Sequence, residues 1–385
     1  MKKSAHAFFV FLFFALGSSV HAKQLYVDSL YSGVNDLKNL TDQGFEVAGV
    51  DLERSVVTLL MDEEDLVLTR SLDIIGTRTL VAPDSQYKKP TDIEKILAAT
   101  EEKYPGLAKI EVIGTSNEGR KILAAHLTNH SNRAEKLSVV FDAMHHAREV
   151  MTPEVALDIV DYLTSNYQTD AQVKKWMDSY DVWVVPMLNP DGNNKVWTKS
   201  SMWRKNTRGG YGVDINRNYP FAWNTCNGSS GNKNADDYRG DKEGSEPETN
   251  ALMDLVKKVN PMFNVSYHSF SEIVIYPFGC KPKHIPESHK AIYEGIGKEL
   301  AKTLVRDSGS GTYTAGTSYE LLYSVDGGSI DWIYNQDKTM AFVIEMNSTS
   351  QGFQPSYKNW RDKTIKKQRP GWMYILNRMS GPGIK

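Results

Sequence analysis

The chain has 385 residues, 45 of them basic and 47 acidic, for a formal net charge of −2, with 40% hydrophobic residues and two cysteines. This length allows one large domain with a small second one, and the near-neutral balance excludes a nucleic-acid binder that works through bulk positive charge. Beyond the first residues, no stretch approaches the roughly 20 apolar residues of a membrane helix.

Residues 1–22 place Lys2 and Lys3 before the apolar run Phe8 to Leu16 and the short segment Ser18 to Ala22. This is the pattern of a secretory signal peptide cut after Ala22, so the mature protein is expected to be soluble, off the membrane, and secreted or periplasmic. Residues 23–85 hold 5 basic and 12 acidic side chains, a net of −7, which leaves +3 on residues 86–385. The opposite signs point to an acidic appendage on a mildly basic body, with solvated surface charge as the alternative reading. Cys226 and Cys280 form either one disulfide or two buried thiols, and export favours the bond.

Residues 24–82 read as strand, helix, strand, strand, helix, strand. Leu25 to Val27 is a short strand, and Val34, Leu37 and Leu40 recur at helical spacing before Gly44. Phe45 to Val50 and Ser55 to Leu60 are β-branched strands, Asp62 caps a helix through Arg70, and Ile74 to Val81 closes the set. This order is the split βαβ of a small ferredoxin-like α+β domain, residues 23–85. A polar linker with two prolines, Ala82 to Pro90, follows.

From Thr91 the pattern changes. Thr91 to Glu94 reads as a capping box opening a helix, and apolar strands are predicted at Ile110 to Ile113, Ile122 to Leu127, Leu137 to Phe141 and Val182 to Val185. A second capping box, Ser245 to Glu248, opens another helix, and strands return at Phe263 to Tyr267, Ile273 to Tyr276 and Met340 to Ile344. Strands alternating with helices over residues 86–385 predict a three-layer α/β/α domain around a mixed, mostly parallel sheet.

In such sheets, sites gather at the carboxyl ends of strands. His146 and Glu149 follow the strand ending at Phe141-Asp142, His268 follows Asn264 to Tyr267, and Glu345 follows Ala341 to Ile344. Two histidines and a carboxylate are the ligand set of a catalytic zinc with an open position for water. The His-x-x-Glu spacing alone is weak, since 9 His and 47 acids in 385 residues produce about one by chance. Four polar residues at strand ends are far more telling.

The ordered set His146-Ala147-Arg148-Glu149, Met202 to Lys205, Asp214 to Asn218, Tyr267-His268-Ser269, Gly327 to Trp332 and Glu345 resembles the secreted zinc metallocarboxypeptidases of the carboxypeptidase A/B type. The resemblance runs from about Tyr87 to the end. It implies a signal, a pro-domain at 23–85, a catalytic domain at 86–385, and one Zn²⁺ held by His146, Glu149 and His268, which lowers the pKa of bound water to about 7. Asp214 then orients a ligand histidine, Glu345 is the general base, and Arg204 is the cation beside the oxyanion. Asn216 and Arg217 receive the substrate's terminal carboxylate, Tyr323 closes over it, and Arg148 contacts the peptide further upstream. His145, one residue off register, is expected to be structural.

Ile330 matches the floor of the side-chain pocket, where relatives that prefer C-terminal Lys or Arg carry an acid. Gly279, Val325 and Val343 match uncharged wall positions, Phe270 stands where many relatives have tyrosine, and Asp326 is a nearby acid that could turn inward. The resemblance thus implies an exopeptidase acting as a monomer on peptide or protein C-termini, preferring hydrophobic or aromatic residues. Cleavage of the pro-domain is expected near Lys88-Lys89. Two rivals share the residue pattern: a cell-wall stem-peptide amidase, which Asn216, Arg217 and Ile330 disfavour, and a catalytically silent zinc-binding module, which needs neither Glu345 nor Arg204.

Overall fold

A computed structural model describes residues 23–280, 285–307 and 309–381; the predicted signal peptide, residues 1–22, lies outside them. β1 (Gln24–Leu30), β2 (Glu46–Asp51), β3 (Val56–Asp62) and β4 (Ile74–Thr79) form an antiparallel sheet in the order β2-β3-β1-β4. That is the strand order of the split βαβ read from the sequence. The helix Val34–Asp42 buries Leu37 and Leu40 as their spacing predicts. The second predicted helix differs. Glu63–Thr69 is a 3₁₀ helix with three acids in its first turn, and Val67 and Leu68 are 54% and 60% exposed. Of its apolar residues only Leu66 packs against the core, too narrow a face to reward a full α-helix here.

The larger sheet contains β5 (Ala108–Thr115), β6 (Lys121–Leu127), β7 (Leu137–Ala143), β8 (Tyr180–Val185), β9 (Phe263–Ser269), β10 (Ile273–Ile275), β11 (Thr314–Gly316) and β12 (Met340–Met346). Its order is β11-β10-β12-β9-β7-β8-β6-β5. Strands β12, β9, β7 and β8 run parallel, with antiparallel β10 and β6 at their flanks. β11, unforeseen in the sequence, is three residues long, too short to display an alternation.

Period-two alternation divides each strand between two cores. In β9, Phe263, Val265 and Tyr267 join the core built with the helices Pro90–Lys103, Thr152–Asn166, Glu287–Thr303 and Tyr357–Arg378. On the other face Val140, Ala341 and Val343 meet the helices Pro247–Val259 and Ser329–Asp337. The result is the expected three-layer arrangement. Both predicted capping boxes shift: Asp92 accepts the N–H of Lys89, putting Pro90 at the first helical position, and Glu246 rather than Ser245 precedes the helix Pro247–Val259. Proline fits the first turn because its missing N–H has no partner to lose there.

The small sheet lies across the carboxyl ends of the large one. The Val50 N–H donates to Ser271 Oγ at 3.0 Å, the Phe353 N–H to the Tyr26 hydroxyl at 3.1 Å, and Arg306 pairs with Asp51 at 2.8 Å and Glu53 at 3.4 Å. Gly49 makes the approach possible: a Cβ there would sit 2.4 Å from the Phe270 ring. Cys226 and Cys280 are bonded, closing a loop beside the site. Among the described residues no helix is long and apolar enough to cross a membrane.

Candidate metal centre and peptide pocket

Because β9 pairs with β7 and β12 in parallel, residues in register share a face. Asp142 lies opposite Ser266, and Glu345 lies opposite His268. The turn after β7 then carries His146 and Glu149 toward His268. His146 Nδ1 is 2.6 Å from Glu149 Oε1, His268 Nδ1 is 3.2 Å from Glu149 Oε2, and the two Nδ1 atoms are 3.1 Å apart. All three residues are buried, and their donor atoms converge within the 4.8 Å that one ion can bridge.

The donor chemistry fits zinc. Burial disfavours the charged form of His268 and brings its pKa down to about 4, so the ring is neutral and its lone pair is free at ordinary pH. Burial raises the Glu149 carboxyl, but the adjacent His146 and His268 more than offset this and hold it ionised. One anion and two neutral imidazoles match a catalytic zinc set. Asp214 stands 3.3 Å from His146 Nε2 and accepts from Arg204 Nε and Nη2 at 3.0 and 2.8 Å. Arg204, His146 and Arg217 outweigh its burial and keep Asp214 well below the usual carboxylate range.

His146, Glu149, Arg204, Asn216, Arg217, Tyr323, Ile330 and Glu345 all line one pocket, so sequence residues up to 199 positions apart converge. Burial, then the charge of Glu149, pushes the Glu345 carboxyl well above its ordinary range. Two backbone carbonyls, Gly228 O and Asn216 O, hold Arg217 through Nε and Nη1 at 2.9 and 3.0 Å. Asn216 Oδ1 accepts the Ser329 N–H at 2.9 Å. Gly327, at φ +62°, passes so close that a Cβ would lie 2.2 Å from Arg217 O, so the Gly-Gly pair brings the pocket floor up against the arginine.

Gly279, Val325 and Val343 join Ile330, Ile275 and Leu322 in the wall, as the sequence suggested. Asp326 does not turn inward. Its carboxylate accepts the N–H groups of Thr225, Cys226 and Gly228 at 3.1, 3.1 and 3.3 Å, and the Ser229 hydroxyl, which anchors the disulfide loop. Asp331, not anticipated, lines the pocket, and its carboxylate takes the Gly279 N–H at 3.0 and 3.2 Å.

Arg148 lies one step out, buried over the Phe353 ring, paired with Asp236 at 3.1 Å and with Glu46 of β2 at 2.5 Å. Val47, Ala48 and Gly49 of β2 roof the pocket itself. A second cleft of about 620 Å³ runs from Arg148, Arg204 and Tyr323 past Phe45 and Glu46.

Sequence reasoning missed a network behind the metal ligands. Asp142 accepts from Ser266 Oγ at 2.6 Å and Asn264 Nδ2 at 2.8 Å, and lies 3.3 Å from His145. The other ring nitrogen of His145 is 3.0 Å from the Tyr219 hydroxyl, and its ring stacks on His268 with centroids 5.3 Å apart. Asn264, Ser266 and His268 are polar residues at i, i+2 and i+4 of an otherwise apolar strand, and that alternation was the available signal. Burial raises the Asp142 carboxyl, yet the bonds from His145, Ser266 and Asn264 win and keep it ionised. His145→Phe should therefore strand a buried acceptor and cost about 1–3 kcal/mol, read as a lower urea midpoint at unchanged m-value. No loss of stability would make the network incidental.

Residues 93–368 match the family model described as zinc carboxypeptidase. The chain belongs to the zinc carboxypeptidase family. This is a family of peptide hydrolases that use one zinc ion, and His146, Glu149 and His268 form a cluster able to hold a metal ion. Rat carboxypeptidase B is 32% identical over 277 residues, covering 69% of this chain and 64% of that protein. Rat carboxypeptidase A2 is 28% identical over 319 residues, covering 81% and 73%. In fold, the chain is similar to carboxypeptidase A from Helicoverpa armigera, with TM-score 0.78 and 19% identity over 94% of this chain and 98% of that one. Thrombin activatable fibrinolysis inhibitor gives TM-score 0.75 and 22% identity over 93% and 98%.

Proposed function

We propose that the chain removes C-terminal residues from peptides and proteins, preferring aliphatic and aromatic ones, and that residues 23–85 are a pro-domain over a catalytic domain at 86–385. The observation that carries this reading is the pocket: a fixed arginine at its side, a carboxylate beside the metal ligands and an aliphatic floor.

His146, Glu149 and His268 would hold the zinc ion, which when bound would supply Lewis acidity for the hydrolysis. The chain's own groups do the rest. Arg217 and Asn216 receive the terminal carboxylate, a receptor an endopeptidase does not need. Glu345 takes a proton from the attacking water onto its carboxylate and delivers it to the leaving amine. Arg204, its position set by Asp214, offers positive charge to the developing oxyanion. Tyr323 shields the site from water, and Asp214 holds the ring of His146. Arg148 meets the peptide upstream; Glu46 occupies that arginine now, which supports reading β2 as a cover over the substrate path. Export rests on residues 1–22 and fits the disulfide.

Specificity follows from Ile330 and its aliphatic neighbours. Apolar side chains gain about 25 cal/mol per Å² buried there, whereas a lysine would find no acid at the floor, only Asp331 in the wall, whose carboxylate the Gly279 N–H already engages. The test is a panel of blocked dipeptides ending in Phe, Leu, Lys or Glu. Phe and Leu should exceed Lys in kcat/KM by about tenfold or more, and Ile330→Asp should raise the Lys value. A wild type that favours Lys over Phe overturns the pocket assignment.

A further inference from the structure

The side-chain pocket is not apolar throughout. Ser318 lines it, is 4% exposed, and its hydroxyl has no hydrogen-bond partner in the protein. A buried hydroxyl left unpaired is destabilising, and the local fold has no use for this one. The helix Ser318–Leu321 is capped by its neighbours, with the Thr317 hydroxyl donating to Glu320 Oε2 at 2.8 Å and the Thr317 N–H to the same oxygen at 3.0 Å. Gly279 lies against the Ser318 hydroxyl, but both of its backbone groups are engaged: the N–H is on Asp331 at 3.0 Å, and the carbonyl takes the Val325 N–H at 2.9 Å. A Cβ at Gly279 would sit 2.9 Å from Ser318 Oγ and 2.8 Å from Val325 O, so glycine leaves this corner of the wall open.

The hydroxyls of Ser269 and Ser329 in the same pocket are likewise buried and unpartnered, but they stand elsewhere. The Ser269 N–H donates to Glu149 at 3.3 Å, beside the metal ligands, and the Ser329 N–H donates to Asn216 at 2.9 Å, beside the carboxylate receptor. Val325 separates Ser318 from that receptor. A Cβ on Gly328 would meet Val325 Cγ1 at 3.3 Å and Asn216 O at 3.9 Å, whereas one on Gly279 would meet Val325 and Ser318. Ser318 therefore belongs to the part of the pocket that takes the substrate's side chain.

We infer that the pocket selects a C-terminal side chain that is apolar along its length and carries a hydroxyl at its tip, as tyrosine does, and that Ser318 is the residue that reads the hydroxyl. The inference rests on the exopeptidase reading above and names the substrate within its aromatic class. Ile330, Leu322 and Val343 supply the apolar surface for the ring. Ser318 Oγ, turning about its Cα–Cβ bond, donates to the phenolic oxygen or accepts its proton. In a wholly aliphatic pocket the phenol would be buried unpaired, and tyrosine would be a poorer substrate than phenylalanine. A partner at this corner reverses the order, because the analogue without a hydroxyl leaves the serine unpaired.

The experiment is kcat/KM of the zinc-loaded chain on blocked dipeptides ending in Tyr, Phe or 4-methylphenylalanine, the last of which fills the space of tyrosine without its hydroxyl. Tyr should exceed both by about fivefold or more, within the range of one neutral hydrogen bond. Ser318→Ala should bring the Tyr-to-Phe ratio to one or below, and Ser318→Thr, which keeps a hydroxyl, should hold it above one. A wild type that cleaves Phe as well as Tyr overturns the inference and leaves the exopeptidase reading standing. Equal loss on all three substrates in Ser318→Ala, at an unchanged ratio, also overturns it, because the serine then only packs the wall. Release of none of Tyr, Phe and Leu removes the exopeptidase reading and the inference with it.

Discussion

Dialysis against a chelator will abolish release of C-terminal residues, and added Zn²⁺ will restore it. The expectation comes from burial and convergence. His146, Glu149 and His268 aim three donor atoms at one point, and the network of Asp142, Ser266, His145 and Asp214 holds them there from behind. With the metal gone, Arg204 and Arg217 still line the pocket, but a guanidinium cannot ligate water and lower its pKa as a metal ion does. A second readout is independent of turnover. A ligand present at a thousand times its Kd stabilises the folded state by about 4 kcal/mol, so the metal-free protein should melt several degrees lower and recover with Zn²⁺. A preparation shown by elemental analysis to be metal-free yet fully active would falsify the zinc assignment.

Glu345→Gln should keep one zinc per chain and lose about 10²–10⁴-fold in kcat/KM, the range for a positioned general base. The carboxamide has the same shape, so pocket geometry survives while the proton acceptor is lost. The same change should leave the melting temperature unchanged or raise it. Glu345 sits opposite His268 with Glu149 close by, and burial together with that like charge makes its ionised form costly. Removing the charge relieves this, so stability and activity should move in opposite directions. Loss of zinc in proportion to activity would instead make Glu345 part of the metal's support.

Local chemistry determined much of this protein by itself. The alternation in Phe263 to Ser269 announces a strand with a polar face, the leucines of Val34 to Asp42 announce an amphipathic helix, and the ordered motifs name the ligands, the arginines and Glu345. The first two follow from residue type and period, which need no knowledge of distant chain; the roles of the ligands, the arginines and Glu345 are what the resemblance of the ordered motifs to a known family implies. The strand order of the small sheet was legible for the same reason, since six short elements in that sequence have few ways to pair.

Only the tertiary structure decided which long-range neighbours meet. The parallel register of β12 on β9 sets Glu345 beside His268, and no local pattern encodes which strand will lie next to which. Asp326 reads as an acid near the pocket, but three backbone amides of the disulfide loop claim its carboxylate, because ionised oxygens go where donors satisfy them. Lys88-Lys89 reads as an open dibasic site, but a buried glutamate 66 residues away takes the first lysine into the body. Glu63–Thr69 follows a helical start signal but tightens to 3₁₀, because only Leu66 of its apolar residues finds the core while Val67 and Leu68 face solvent. In each case the residue's chemistry was visible and its partner was not, since partners separated by tens to hundreds of residues are chosen by packing.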